Sequence, residues 1–230
     1  MKKVAILLAA LTVASASYAK EIMPVAEMAP VMTVAHSDMY LNARFGGDFG
    51  ANYDSISAAH LTDSTDGFGG EVALEGYKSL NDAFDIGLGL AYQFHADRDS
   101  ETFIRGRRTV RKADGAEYDS IPLYLTAKYN FMTNSNIKPY LKANLGYSFN
   151  FNSSDSERTD IVTGTVHTFN TSVDDGLYWG AGVGMEYNNL TLDLMYVVNE
   201  AKTEINGANT IKEDNNYDRV VLSVGYIFDL

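Results

Sequence analysis

The chain has 230 residues and a formal net charge of −12, and an acidic balance of this size disfavours general nucleic-acid binding, which needs a basic surface. It contains no cysteine, so it is not a disulfide-stapled scaffold. Tyr (15), Phe (11) and Gly (19) are abundant while Pro is scarce at 4, and the length allows one or two domains, of which the pattern below supports one.

The chain opens "MKKVAILLAALTVASASYAK". Lys2 and Lys3 precede an apolar run from Val4 to Val13, and Ser17-Tyr18-Ala19 offers small residues at a cleavage position. This order reads as a secretory signal peptide over residues 1–19 rather than a buried N-terminal helix. Loss of Lys2 and Lys3 with the leader takes the net charge to −14. No later stretch approaches the roughly 20 apolar residues of a transmembrane helix. Residues 20–38 hold two of the four prolines without a sustained period and read as an extended arm.

From residue 39 to 230, alternation of period two appears eight times, each run bounded by turn or loop chemistry. Met39 to Phe49 sets Leu41, Ala43, Phe45 and Phe49 against Asn42, Arg44 and Asp48. Phe68 to Tyr77 sets Phe68, Val72 and Leu74 against Glu71 and Glu75. Phe84 to His95 sets six apolar residues against Asp85, Gly87, Gly89, Ala91, Gln93 and His95. "SIPLYLTAKYNF" carries Tyr124, Thr126 and Lys128 on its polar phase, and "KPYLKANLGYSF" carries Lys142, Asn144 and Ser148. Leu177 to Tyr187 opposes Trp179, Val183 and Met185 to glycines and Glu186. Leu190 to Asn199 opposes Leu192 and Leu194 to Asp193. The last run, "RVVLSVGYIFDL", stays amphipathic from Arg219 to Leu230.

Connections alternate in length. Short ones follow the second, fourth and sixth runs, around Leu80-Asn81-Asp82, Thr133 to Asn136 and Asn188-Asn189, where Asn tolerates positive φ. Long polar ones cover Gly50 to Gly67, Ala96 to Glu117, Asn150 to Gly176 and Glu200 to Asn216. One end of the sheet therefore carries turns and the other carries loops.

A soluble sandwich also has amphipathic strands, and a secreted lipocalin-type barrel turns its apolar face inward. Here the apolar faces are unusually aromatic, and the opposite faces carry mid-strand charges and glycines. Aromatics gather at both strand ends: Phe84, Tyr129, Phe131, Tyr187, Tyr226 and Phe228 at one, Phe68, Tyr92, Phe94, Tyr147, Phe149 and Trp179 at the other. Membrane barrels carry such girdles at both interfaces. A sheet in lipid must close, because lipid cannot pair a strand edge. The expected fold is all-β: an eight-stranded antiparallel up-and-down transmembrane barrel. The Thr/Val-rich middle of "FNFNSSDSERTDIVTGTVHTFNTS" leaves a ten-stranded count open.

These eight segments, with "IPLYLTAKYNF", "KPYLKANLGY" and the terminal "GYIFDL", resemble the small outer-membrane β-barrel family typified by OmpA and OmpX. The resemblance covers Met39 to Leu230 and includes no peptidoglycan-binding domain. It implies a Gram-negative outer membrane, short periplasmic turns, a periplasmic arm and extracellular loops. It also implies contact with outer-membrane lipid and lipopolysaccharide. Gly225, Tyr226, Phe228 and Leu230 look like the signal read by the barrel assembly machinery, although Leu230 stands where Phe is usual and Val224 where a polar residue is usual.

The expected interior charges are Arg44, Asp48, Glu71, Glu75, Asp85, Lys128, Lys142, Glu186, Asp193 and Arg219. An eight-stranded lumen is just wide enough for side chains, so a plug of ion pairs is favoured over a narrow pore. Glycines 87, 89, 180, 182 and 184 would admit large side chains or leave a thin water path. The loop "DRDSETFIRGRRTVRK" carries Arg98, Arg105, Arg107, Arg108, Arg111 and Lys112, a candidate contact for phosphate or sulfate on lipopolysaccharide or a host surface. A solvated hairpin is its plain alternative. No cofactor or metal motif stands out. Of four histidines, only His95, beside Asp97 and Asp99, suggests a base, and no nucleophile accompanies it. The expectation is a non-enzymatic barrel displaying loops for adhesion or recognition. A low-conductance porin and a lipid-modifying enzyme are the alternatives.

Overall fold

A computed structural model describes residues 38–105, 109–206 and 210–230. The leader and all of the arm except Asp38 lie outside the described residues. Eight long strands form the framework: β1 (Met39–Tyr53), β2 (Gly70–Asn81), β3 (Phe84–Phe94), β4 (Asp119–Asn130), β5 (Ile137–Phe151), β6 (Gly176–Tyr187), β7 (Leu190–Asn199) and β8 (Tyr217–Asp229). Each pairs antiparallel with its sequence neighbours, and β1 closes on β8 to complete the barrel. The closing seam runs from Tyr40 opposite Asp229 to Tyr53 opposite Tyr217, with one register shift between Asp48 and Ala51. Gly50 sits in that shift at φ +96°, a backbone region that other residues rarely enter. The eight-strand count settles the ten-strand question.

The pleat sends alternate side chains to opposite faces, and here the usual distribution is inverted. Leu88, Leu125 and Leu145 are 61%, 63% and 56% exposed on the outer wall, whereas Glu75 and Asp193 are wholly buried. A soluble barrel would reverse this, which removes the sandwich and lipocalin alternatives. Rings meet on the outer surface at both ends. Phe84 lies 4.9 Å from Tyr129 and Tyr226 4.9 Å from Phe228 at the turn end. Phe68 lies 5.9 Å from Phe94 and Trp179 6.0 Å from Tyr196 at the loop end. The wall is built of strands of 10 to 15 residues, and about 9–11 tilted residues suffice to cross the hydrocarbon. The 15-residue strands β1 and β5 have length to spare for the loop end.

The long connections are not plain loops. Glu101–Arg105, Thr109–Asp114, Ser156–Asp160 and Val166–Phe169 form a four-stranded sheet. Thr171–Asp174, Lys202–Ile205 and Ile211–Asp214 form a three-stranded one, and Thr65–Asp66 pairs with Asp97–Arg98. Ile56, Ala59, Leu61, Ala113, Ala116 and Ile205 make a separate apolar core beneath these sheets, with Phe103, Phe169 and Ile211 packed against it. The barrel therefore carries a folded headpiece. These strands are short and largely polar, so their alternation is too weak to read from sequence.

Candidate functional site

The lumen holds all ten inward charges. Arg44 from β1 bridges Glu71 and Glu75 of β2, each at 3.1 Å. Lys142 of β5 meets Glu75 at 2.7 Å and Asp193 of β7 at 3.8 Å. Arg219 of β8 extends the network upward to Glu71 and Asp48, both at 3.2 Å. Charges buried this deeply persist only when paired and hydrogen-bonded. Tyrosines supply the remaining bonds: Tyr77 and Tyr124 donate to Glu75 at 2.9 and 2.8 Å, and Tyr140 donates to Asp193 at 2.7 Å.

Towards the turns the chemistry changes. Asp85 accepts from Tyr40, Ser79 and Asn130 at 2.9, 2.6 and 2.8 Å. Glu186 pairs with Lys138 at 3.1 Å. Lys128 stands over the rings of Tyr77 and Tyr140, at 4.1 and 4.8 Å from their centroids, where the negative ring faces stabilise its charge.

The space over two of the lumen glycines is taken by rings. A Cβ on Gly89 would lie 2.3 Å from the Tyr124 ring, and one on Gly184 would lie 2.3 Å from the Tyr140 ring. These two glycines let each tyrosine ring lie over the neighbouring strand, where glycine and tyrosine are register partners. The sequence reading assigned Tyr124 to the polar phase but missed Tyr40, Tyr77, Tyr140 and Tyr178 as lining residues. Their signal was available: each falls on the same phase as the charges.

At the loop end a box of rings gathers above the charge network. The buried His95 ring stacks on Tyr217 at 3.9 Å and meets Tyr118 edge-on at 5.0 Å. Tyr53 packs on Tyr217 at 4.8 Å, and the Arg98 guanidinium lies over Tyr53 at 4.4 Å. The Tyr217 hydroxyl donates to Asp48 at 2.9 Å, which ties the box to the charge network below. Burial, followed by the nearby Arg219 charge, holds the His95 pKa well below the ordinary histidine range. His95 is therefore no solvated base beside Asp97 and Asp99. Among the described residues the Tyr118 main chain lies near the His95 ring and the Tyr53 hydroxyl, yet no hydrogen bond of good geometry reaches either.

Arg98 also departs from its sequence-based assignment to an exposed basic loop. It is buried, donating from Nη1 to the main-chain oxygens of Asp54 (2.9 Å) and Thr62, and from Nη2 to Asn215 Oδ1. Its guanidinium thus ties three headpiece segments together, which is what five donors in a rigid fork do well. Of the other basic residues, Arg105 pairs with Thr109 and Arg111 with Phe103 and Asp160 in the four-stranded sheet. Arg107 and Arg108 lie outside the described residues. Lys112 is exposed and meets Asp114 at 3.2 Å. A cleft beside Arg98 and Lys112 is lined by Asp66, Asp97, Asp99, Asp155 and Glu157, so this face is more acidic than the loop's own sequence suggests.

The terminal segment lies on the closing seam. Gly225 faces inward, where a Cβ would sit 2.5 Å from Thr191 Oγ1, while Tyr226, Phe228 and Leu230 are exposed on the outer wall. The Leu230 N–H donates to the Met39 carbonyl at 3.1 Å.

A closed, inside-out, eight-stranded barrel with aromatic belts and a charged lumen defines an integral outer-membrane protein of a Gram-negative bacterium. The chain belongs to the family described as outer membrane protein beta-barrel domain, whose model matches residues 5–228. It is 30% identical over 164 residues to an uncharacterised Pasteurella multocida protein, PM1543, covering 63% of this chain and 68% of that one. Among solved structures it is similar to the outer membrane protein OprG of Pseudomonas aeruginosa, with TM-score 0.52 at 15% identity over 85% of this chain and 98% of that one. It is also similar to Neisserial surface protein A, with TM-score 0.42 at 18% identity over 84% and 99%. At these identities the structural likeness concerns the fold.

Proposed function

We propose that this protein is a membrane anchor for an ordered extracellular headpiece that recognises a surface ligand, in an adhesive or recognition role. One observation supports this reading: the long connections fold into sheets over an apolar core of their own, above a lumen filled by ion pairs and tyrosines. A binding surface needs a stable framework of this kind. A lumen lined by ion pairs and tyrosines favours this reading over the porin alternative, and a buried, stacked His95 gives no support to a lipid-modifying enzyme.

The ligand chemistry we favour is a polyanion bearing phosphate or sulfate, met by Arg105, Arg107 and Arg108. Arg98 is excluded, because it is buried and its Nη1 and Nη2 donors are engaged within the headpiece. Lipopolysaccharide and sulfated host glycans both carry these groups, and insertion would proceed through the barrel assembly machinery as in the resembling family. The test replaces Arg105, Arg107 and Arg108 by Ser and measures binding of the vesicle-inserted barrel to immobilised heparin and to lipopolysaccharide. Folding should be unchanged and binding should weaken at least tenfold. Unchanged binding to both would remove the basic loop from the reading. Silence in a planar bilayer would agree with a lumen that does not conduct, and discrete conductance steps would restore the porin reading.

A further inference from the structure

We propose that His95 is an acid-sensitive latch: its uncharged ring completes the stack that holds the headpiece on the barrel, and protonation expels it and loosens the cap.

The latch sits where barrel and headpiece join. His95 is one residue beyond β3, and the next residue, Ala96, donates its N–H to the Tyr217 hydroxyl at 3.1 Å. Two residues further on, Arg98 clamps Asp54, Thr62 and Asn215. Movement of the His95 ring therefore pulls on the connection between strand and headpiece.

Burial and the Arg219 guanidinium favour the neutral ring, outweighing the Tyr118 main chain, which acts the other way. β1 contributes Tyr53, and the residue before β4 contributes Tyr118. β8 contributes Tyr217 and the Arg219 guanidinium, and its own segment contributes Arg98 behind Tyr53. The nearby carboxylates are already engaged. Asp48 is bound to Arg219 at 3.2 Å and to Tyr217 at 2.9 Å. Asp119 accepts the His95 main-chain N–H at 3.2 Å and the Asn152 amide at 3.1 Å. Glu117 accepts from the Arg98 main chain at 3.2 Å and from Ser154. An imidazolium at this position would be buried with the Arg219 guanidinium nearby, and the carboxylates named above already have partners among the described residues.

The direction of the pH effect follows from linkage. In the docked state His95 titrates well below its ordinary value of 6.5, whereas a released ring titrates near that value. The released state binds more protons, so the docked state loses ground as pH falls below 6.5. Between pH 7.5 and pH 5 the released fraction should rise roughly thirtyfold, about tenfold per pH unit below the free-ring value. At neutral pH the latch is at full strength.

The test is amide hydrogen exchange of the vesicle-inserted protein at pH 7.5 and pH 5, expressed as protection factors so that intrinsic exchange chemistry cancels. Protection around residues 53, 96–98 and 217 should fall roughly thirtyfold at the lower pH, while mid-barrel amides of β4 and β5 stay protected. His95→Phe keeps a stacked ring without a titrating proton and should abolish the fall. His60→Phe, which alters the ring stacked on Phe103 at 3.9 Å, should retain it. A fall that survives His95→Phe, or no fall in the native chain, would overturn the latch. If His95→Phe does not fold, NMR of the native His95 ring decides the matter. Protonation coinciding with loss of protection supports the proposal, and titration near 6.5 with protection unchanged rejects it.

Discussion

The mid-lumen and the mouth are both buried and polar, yet they are held by opposite means. In the lumen, Glu75 alone joins Arg44, Lys142, Tyr77 and Tyr124, so charge is balanced by charge through several short bonds. At the mouth, the His95–Tyr217 stack, the Tyr53 ring tilted against it and a cation over a ring do most of the holding. Multiply bonded charges make a rigid, all-or-none plug, because removal of one member strands the rest. Ring stacks contribute about 0.5–1.5 kcal/mol each beyond area burial, and their strength can be tuned by one proton. The part facing the membrane centre is locked, and the part facing the outside is adjustable.

The contrast can be broken most strongly at Glu75. Glu75→Ala leaves Arg44 and Lys142 without their shared carboxylate, and loss of one partner of a buried ion pair typically costs about 3–5 kcal/mol. Urea unfolding of the vesicle-inserted barrel should show a loss of this size in the whole transition. A loss below about 1 kcal/mol, the range of exposed pairs, would mean that water screens the lumen network. Arg98→Met should cost about 1–3 kcal/mol, because the carbonyls of Asp54 and Thr62 lose a buried donor while the aliphatic stem is kept. Here the loss should appear as local exchange in the headpiece, leaving the unfolding midpoint of the barrel nearly unmoved; a global shift would show the two regions to be one cooperative unit. Lys112→Ser removes an exposed pair with Asp114 and should stay within about 1 kcal/mol in either measurement.

How far the sequence carries the reading differs between the same two regions. Barrel strands announce themselves because lipid demands an unbroken apolar face, and the phase of that alternation sends Arg44, Glu75 and Asp193 inward. Strand ends are blurred where the chain leaves the membrane: β1 runs past Gly50 to Tyr53, since a glycine in positive φ interrupts the pattern without ending the strand. His95 and Arg98 look like loop polars because nothing local buries them. Their environment is assembled from Tyr53, Tyr118, Asn215 and Tyr217, over a hundred residues away for the last two, once the headpiece folds. The short headpiece strands are likewise specified by tertiary packing around Ile56 and Ile205, not by their own periodicity.

The seam between β1 and β8 sets a timetable as well as a shape. Leu41 pairs with Phe228, so the first strand must wait for the last before either has a second neighbour. Until then both present unpaired backbone edges, which are templates for mispairing with other chains. Contacts spanning nearly the full length of a domain also form slowly. A barrel closed in this way cannot mature progressively from its N-terminus as it emerges. It has to be kept apart from its copies as an unfinished chain, and the joining of its two ends becomes the committing event of its biogenesis.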